Sequence, residues 1–106
     1  MKKQSKQDRV FIKIYEGNPK IVAICDYELL NKRFEEGKLQ LEVNEKFFKG
    51  EIYSLSEARK KLAKIAEDYA SFNIVGGKAV TLALELKIIN SNKVIYIQKI
   101  PVALVL

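Results

Sequence analysis

The chain has 106 residues, of which 48% are hydrophobic and 30% charged, a balance typical of one globular domain. No apolar run approaches the ~20 residues needed to span a bilayer, and we expect neither a secretory signal nor a membrane partner. With no histidine and one cysteine, the sequence excludes disulfide frameworks, Cys/His zinc sites and catalysis by a histidine base.

The first residues carry half of the formal net charge of +6. Their cations are Lys2, Lys3, Lys6 and Arg9. Because residues 1–9 show no apolar periodicity, we predict a flexible basic arm there and one domain over residues 10–106. Two interpretations of the arm stay open: it contacts the phosphates of a nucleic acid, or it is a solubilising terminus.

Two strands are predicted at the start of the domain. Residues 10–15 and 20–25 are rich in β-branched and aromatic side chains, which favour strands. Gly17 and Pro19, between them, are typical turn residues. The two segments therefore predict a β-hairpin.

A helix is predicted directly after this hairpin. Asp26 stands where an N-cap carboxylate is favoured, and Leu29, Leu30 and Phe34 form an apolar stripe at helical spacing. Gly37 is suited to cap the C-terminal end. The pattern thus indicates a helix between Asp26 and Gly37.

The next segment predicts short strands around an aromatic turn. Apolar and polar residues alternate over residues 39–43, which indicates a half-buried strand. Residues 47–50 predict a turn that carries Phe47 and Phe48, and residues 51–53 a short strand.

The clearest helix begins at Ser54. Ser54 and Glu57 have the spacing of a capping box, in which each side chain accepts a hydrogen bond from the other residue's backbone amide. An apolar face continues to Tyr69, so we predict a helix that ends near Ser71. The opposite face is interpreted as a solvated surface, because acidic residues are interleaved with its lysines. These lysines are Lys60, Lys61 and Lys64.

The last part of the chain contains one ambiguous segment and two predicted strands. Residues 81–88 alternate as a strand does, yet most of them are strong helix formers, and we predict a buried helix there. Residues 93–98 and 102–106 predict strands, which Pro101 separates or marks as an edge. The whole order predicts an α+β fold, with a single mixed β-sheet of about five strands and two to three helices packed on it.

Phe47 and Phe48, flanked by Lys46 and Lys49, give one candidate binding surface. Exposed aromatic rings can stack on nucleic-acid bases while lysines contact phosphates, so Lys46 and Lys49 join the cations of the arm as candidate nucleic-acid ligands. Alternatively, the two phenylalanines form an exposed patch for a protein partner.

A second candidate is the segment from Asn73 to Lys78. Gly76 and Gly77 precede the last predicted helix, and the backbone amides of a helix start could hold an anion together with Asn73 and Lys78. The spacing is not that of a P-loop. The alternative is a turn between two helices in which glycine supplies a positive φ.

Cys25, the one thiol, allows two interpretations. A nucleophile at the end of a strand is conceivable, but the absence of an imidazole base and the apolar neighbours favour a buried packing residue. The carboxylates Glu42 and Glu45 have no spacing that indicates a metal. We therefore predict neither a metal nor a cofactor.

Five short segments of the chain occur in a recognisable order. They are residues 22–30, 34–43, 47–51, 73–80 and 94–101, of which Cys-Asp-x-x-Leu-Leu at 25–30 and Asn-Ile-Val-Gly at 73–76 are the more specific. Over about residues 10–106, this pattern resembles the archaeal domain-of-unknown-function family four-twenty-four. The resemblance implies a cytoplasmic archaeal α+β domain, helical over residues 77–88, that accompanies the translation machinery. The lysine-rich, histidine-free composition also suits a thermophile.

Three functions are compatible with these features. The first is a non-catalytic binding module that contacts RNA or a ribonucleoprotein, which the excess of lysine favours. The second is a protein-interaction or homo-oligomeric module that uses Phe47, Phe48 and the exposed edge of the C-terminal strands. The third is a small enzyme, which the missing acid, base and nucleophile sets disfavour.

Overall fold

The computed structural model describes residues 8–106 and has the predicted α+β fold. Its strands are β1 (Arg9–Tyr15), β2 (Lys20–Asp26), β3 (Arg33–Glu36), β4 (Leu39–Glu42), β5 (Glu51–Ser54), β6 (Ala70–Val75), β7 (Ile95–Ile97) and β8 (Ile100–Val105). Its α-helices are α1 (Glu45–Phe48), α2 (Leu55–Ile65) and α3 (Gly77–Glu85). Across residues 8–106, no helix has the length and apolar character needed to cross a membrane.

The main sheet has six strands in the order β5–β1–β2–β6–β8–β7, and β3 pairs with β4 in a separate hairpin. β2 and β6 run parallel, while the other neighbouring strands of the main sheet are antiparallel. The prediction of a mixed sheet with helices packed on it is therefore confirmed, with one strand more than expected.

One face of the main sheet packs against α2 and α3. Val10, Ile24 and Ile74 point to this side, and each is fully buried. Leu62 of α2 and Ala83 of α3 lie against them, also without solvent exposure. The apolar face predicted for α2 is thus the face that covers the sheet.

Residues 27–50 cover part of the opposite face. Phe11, Cys25 and Val75 point to this side, where they pack with Val43 and Phe48. Because β2 is covered on both faces, residues 22–26 are all buried, which accounts for their almost continuous apolar sequence.

The prediction of a helix directly after β2 is wrong. The chain forms a single 3-10 turn at Tyr27–Leu29, and Asn31 then adopts a φ of 69° and turns the chain into β3. Phe34 packs inward from β3 while its neighbours in the strand are exposed, and Leu29 is buried from the 3-10 turn, so these stripe residues reach the core without a helix. Asp26, the predicted N-cap of that helix, makes no side-chain cap bond to the turn.

The second predicted helix is shorter than expected, because α2 ends at Ile65 and residues 70–75 form β6. Phe72 and Ile74 of β6 are buried, whereas Ser71 and Asn73, which alternate with them, are less so. This alternation is a strand pattern that the prediction of a longer helix concealed. The segment from Asn73 to Lys78 therefore joins a strand to a helix, rather than two helices.

The remaining C-terminal elements agree more closely with the sequence. α3 confirms the helix predicted in the ambiguous segment and extends it back to Gly77. β8 includes Pro101 instead of beginning after it. Pro101 is the second residue of β8 and precedes Val102, the first residue of β8 that pairs with β6, so it lies near a strand start, where a missing backbone N–H is tolerated.

Ser54 caps α2 as the capping box predicts. The Ser54 hydroxyl accepts a hydrogen bond from the Glu57 amide at 3.2 Å, and the Glu57 carboxylate accepts one from the Ser54 amide at 3.1 Å. We expect Ser54→Ala to lower the free energy of unfolding by ~1 kcal/mol, because one helix amide loses its acceptor. Urea denaturation measures this loss of unfolding free energy, and Ser91→Ala, at an exposed position, is the control. Equal denaturation midpoints for the two variants would contradict the capping role of Ser54.

Candidate functional site

A cavity of about 660 Å³ lies between β1, the base of the β3–β4 hairpin and α1. Cationic side chains dominate its lining: Lys13, Lys32, Arg33, Lys46 and Lys49. The carboxylates that line it are Glu42 and Glu45, so cations outnumber anions at its surface. We call this site the basic cavity.

Backbone hydrogen bonds at the base of the hairpin hold one wall of the basic cavity. The Asn31 amide donates to the Val43 carbonyl at 2.8 Å, and the Val43 amide donates to the Lys32 carbonyl at 2.9 Å. Val43 is fully buried beneath them. The backbone that carries Lys32 and Arg33 is therefore held in place by the hairpin hydrogen bonds and by the buried Val43 side chain.

The other wall is α1, which side chains of β1 hold in place. Asn44 caps α1, since its side-chain oxygen accepts a hydrogen bond from the Lys46 amide at 2.7 Å. Lys13 Nζ donates to the Lys46 carbonyl at 2.9 Å, and the Tyr15 hydroxyl donates to the Phe47 carbonyl at 2.9 Å. These bonds satisfy carbonyls that a short helix leaves unpaired.

Gly50 lets the chain pass close to β1 after α1. A β-carbon at Gly50 would overlap the backbone of Ile12 and Lys13. Only glycine fits without a backbone shift, so this position fixes α1 beside β1.

The charges of the basic cavity are only partly neutralised. Hydrogen bonds from Asn31 at 3.1 Å and Lys49 at 3.4 Å hold Glu45, and they lower the pKa of its carboxyl. Arg33 pairs with Glu35 at 2.9 Å. Within residues 8–106, Lys32 and Lys46 form no salt bridge, and both are exposed. A surplus of cationic groups therefore faces solvent at this cavity.

Comparison with known proteins places most of the chain in one family. The model of the family described as "Protein of unknown function (DUF424)" matches residues 15–106. The chain belongs to this family. The sequence resemblance is thereby confirmed, and most of the basic cavity lies inside the matched residues.

A solved structure shows the same fold as this DUF424 chain. It is the crystal structure of an uncharacterized conserved protein from Methanopyrus kandleri, with a TM-score of 0.80 and 20% sequence identity. The similarity covers 91% of this chain and 89% of the other. No match was found among curated proteins. These comparisons establish family and fold, and they name no ligand or reaction.

Lys46 and Lys49 lie together at the basic cavity, but Phe47 and Phe48 do not form an exposed patch. Phe48 is only 6% exposed and packs in the core beneath α1. Phe47 is half-buried and stacks on Tyr15, with ring centroids 5.3 Å apart. The expectation of exposed rings is corrected because residues 45–48 form a helix whose aromatic side chains turn towards the sheet.

The cations predicted in the N-terminal arm are only partly within the described region. Lys2, Lys3 and Lys6 lie outside the described residues. Arg9 is the first residue of β1, and its guanidinium carbon lies 4.0 Å from the centre of the Tyr27 ring. Arg9 thus belongs to the sheet rather than to a preceding arm.

Lys13, Lys32 and Arg33 are the cavity residues that sequence reasoning missed. Lys13 is the one cation within the otherwise apolar run from Val10 to Tyr15, a pattern that marks an outward side chain and could have singled it out. Lys32 and Arg33 lie within the segment between Asp26 and Gly37 that was predicted as a helix, whereas Arg33 begins β3 in the structure. Their juxtaposition with Lys46 depends on the hairpin, which local patterns do not reveal.

The segment from Asn73 to Lys78 holds a carboxylate of the chain itself. The Asp26 carboxylate accepts hydrogen bonds from the Lys78 amide at 3.1 Å and the Ala79 amide at 2.8 Å, both in the first turn of α3. Asn73 lies apart from them, beside Ala23 and Leu104 on the sheet. The groups predicted to bind an external anion are therefore not gathered around one space, and two amides are already bonded.

Burial of Asp26 raises the pKa of its carboxyl, and the hydrogen bonds from the Lys78 and Ala79 amides oppose this effect. Gly76 makes the arrangement possible, because its φ of 109° and its missing side chain leave room for the carboxylate. Lys78 Nζ pairs with Glu28 at 3.2 Å. Asp26, Gly76 and the start of α3 form a structural clasp between β2 and α3.

Cys25 is fully buried beside this clasp. Burial, with smaller contributions from Asp26 and Glu28, raises the pKa of its thiol to about 12. The packing interpretation fits both observations, because a reactive cysteine needs an accessible thiolate.

We expect Cys25 to react with a thiol reagent such as DTNB only at the rate of transient unfolding. Labelling the folded protein at neutral pH, with the urea-unfolded chain as the reference, measures this. Rapid labelling that does not slow when the fold is stabilised would contradict the packing role.

Proposed function

We propose that this chain is a non-catalytic binding module that holds the phosphates of an RNA backbone at the basic cavity. The observation that carries the proposal is the convergence of Lys13, Lys32, Arg33, Lys46 and Lys49 on one cavity. These cations come from β1, the hairpin and α1, so folding concentrates charge that is dispersed in the sequence.

Elementary electrostatics favours a polyanion as the ligand. Lysines and arginines that approach phosphates release condensed counterions, and this supplies affinity without base recognition. Lys32 and Lys46 form no salt bridge within the described chain, so phosphates would not have to displace a carboxylate from them. In this proposal Lys2, Lys3 and Lys6 add further phosphate contacts.

Titration of unstructured single-stranded RNA at several salt concentrations tests the proposal. We expect the logarithm of the binding constant to fall linearly with the logarithm of the salt concentration. In Lys32→Gln/Lys46→Gln the slope should decrease by about 1.4, since each phosphate contact to a single strand contributes ~0.7. The affinity should fall alike for oligouridine and oligoadenosine, because phosphate contacts carry no base information.

Lys60→Gln/Lys61→Gln on α2 is the matched control, because it removes the same charge from a helix that packs on the opposite face of the main sheet. Equal slopes for the two double variants would mean that net charge, not the cavity, drives binding. An absence of RNA binding at low salt would overturn the proposal and favour the protein-interaction alternative.

Deletion of residues 1–7 tests the arm separately. The deletion removes Lys2, Lys3 and Lys6, and the salt slope should decrease by about 2 if each contacts one phosphate. An unchanged slope would assign the arm a solubilising role and leave the basic cavity as the binding site.

A further inference from the structure

Glu45 is an acidic side chain within the basic cavity, and its carboxylate connects the two walls of that cavity. Its Oε1 accepts a hydrogen bond from Asn31 Nδ2 at 3.1 Å, at the base of the β3–β4 hairpin. Its Oε2 accepts one from Lys49 Nζ at 3.4 Å, directly after α1. Each oxygen therefore occupies a donor that the other wall of the cavity does not supply.

Backbone hydrogen bonds hold Asn31 and Lys49 without help from the Glu45 carboxylate. The Asn31 amide donates to the Val43 carbonyl at 2.8 Å, and its φ of 69° is one that asparagine tolerates. The Lys49 amide donates to the Glu45 carbonyl at 2.9 Å, at the end of α1. The two side-chain donors therefore remain at the cavity when the carboxylate leaves them.

The contacts of the Glu45 carboxylate are of a kind that a stronger anion can replace. The side chains of Lys49 and Glu45 are 55% and 50% exposed, so solvent screens their attraction and the pair is weak. Phosphate oxygens accept charge-assisted hydrogen bonds from the same donors as carboxylate oxygens do. A phosphate in the basic cavity thus competes directly with Glu45 for Asn31 and Lys49.

We propose that Glu45 is an internal competitor of the RNA phosphate: its carboxylate occupies Asn31 and Lys49 in the free protein, and a phosphate displaces it from both. This inference rests on the proposed function, because it assigns a regulatory residue to the same cavity. A ligand must then bring enough negative charge to replace a carboxylate. This requirement favours a phosphodiester chain over a single monovalent anion.

Glu42 provides a matched comparison within the same cavity. Like Glu45 it lines the cavity and is exposed, but within residues 8–106 it forms no salt bridge. Glu42 therefore repels a phosphate without occupying one of its donors. The effect of competition is the difference between the two glutamates.

Affinities of Glu45→Gln and Glu42→Gln for oligouridine at low salt test the proposal. Both variants remove one negative charge, but only Glu45→Gln also releases Lys49. We expect about tenfold tighter binding in Glu45→Gln and about threefold tighter binding in Glu42→Gln. The thermal midpoint of Glu45→Gln should stay near that of the wild type, because only exposed contacts change. Equal gains in affinity would overturn the proposal, since charge alone would account for both.

A double-mutant cycle with Lys49→Gln separates competition from an alternative role, in which Glu45 orients Lys49 for RNA. If Glu45 competes, Lys49→Gln should weaken binding about threefold more in the Glu45→Gln background than in the wild type. The reason is that Lys49 then binds phosphate without giving up a partner. In the Glu42→Gln background the loss should equal that in the wild type. A smaller loss in the Glu45→Gln background would indicate the orienting role and overturn the proposal.

The pKa of the Glu45 carboxyl, followed by side-chain ¹³C NMR, reports the displacement itself. The hydrogen bonds from Asn31 and Lys49 hold this pKa below its ordinary value of 4.5 in the free protein. RNA should raise it, because the carboxylate loses both donors and lies near a phosphate. A pKa that stays low in the complex would overturn the proposal. An absence of RNA binding would overturn the proposed function and this inference together, whereas binding that Glu45→Gln leaves unchanged would overturn this inference alone.

Discussion

Replacement of Asp26 by alanine is expected to lower the free energy of unfolding by about 2 to 3 kcal/mol. The Asp26 side chain is 3% exposed overall and accepts hydrogen bonds from the Lys78 and Ala79 amides. Alanine leaves both amides without this acceptor at the start of α3, and it opens a void beside Gly76. Urea denaturation, monitored by far-ultraviolet circular dichroism, measures the loss.

Asp68→Ala is the matched control for this substitution. Asp68 pairs with Lys20 at 3.7 Å, but its side chain is 63% exposed, so removal of the pair should change stability by less than about 1 kcal/mol. If Asp26→Ala were no more destabilising than Asp68→Ala, the clasp between β2 and α3 would contribute nothing to stability.

The contribution of Asp26 to the stability of the fold should increase as the pH falls. Burial raises the pKa of this carboxyl above its ordinary value of 3.8. The folded protein then binds the proton more tightly than the unfolded chain does, so protonation of Asp26 stabilises the fold. Relative to Asp26→Asn, the wild type should gain stability as the pH falls from neutral through the raised pKa towards 3.8. A relative loss of stability on acidification would show that the amide hydrogen bonds outweigh burial.

Local signals explain which elements were predictable. The capping box at Ser54 located the start of α2, and the β-branched runs located β1 and β2, because each pattern acts over a few neighbouring residues. α3 was also correctly predicted, since its strong helix formers outweighed an alternation that resembled a strand.

The errors have a common physical cause, namely contacts distant in sequence. Asp26 has the local signature of an N-cap, but the amides that it binds belong to Lys78 and Ala79. The pairing with β2 and β8 identifies β6 as a strand. Its sequence pattern did not, because the alternation is short and follows a strong helix. A local pattern cannot show which partner a side chain meets across the sheet.

The candidate site was predictable only in fragments for the same reason. Lys46 and Lys49 were singled out for their aromatic neighbours, and these neighbours proved to be buried or half-buried. The cavity exists because the Lys13 side chain and the hairpin base converge on α1. The number of charged residues can be counted from the sequence, whereas the convergence of the cationic side chains on one cavity is known only from the fold.

Alanine substitutions at the two adjacent glycines are expected to have opposite effects. Gly76 has φ 109° and ψ 157°, a region that only glycine adopts readily, and a β-carbon there would overlap the Asp26 carboxylate. We expect Gly76→Ala to lower the free energy of unfolding by about 3 kcal/mol, from backbone strain together with the displaced cap.

Gly77→Ala is the matched control for Gly76→Ala. A β-carbon at Gly77 meets no atom within 4 Å, and Gly77 is the first residue of α3. Alanine there should leave stability unchanged or raise it by up to ~1 kcal/mol, because alanine restricts the unfolded chain and favours the helix. Thermal denaturation of both variants distinguishes a glycine required by the Asp26 clasp from one that is not. Equal destabilisation of the two variants would contradict these separate roles of Gly76 and Gly77.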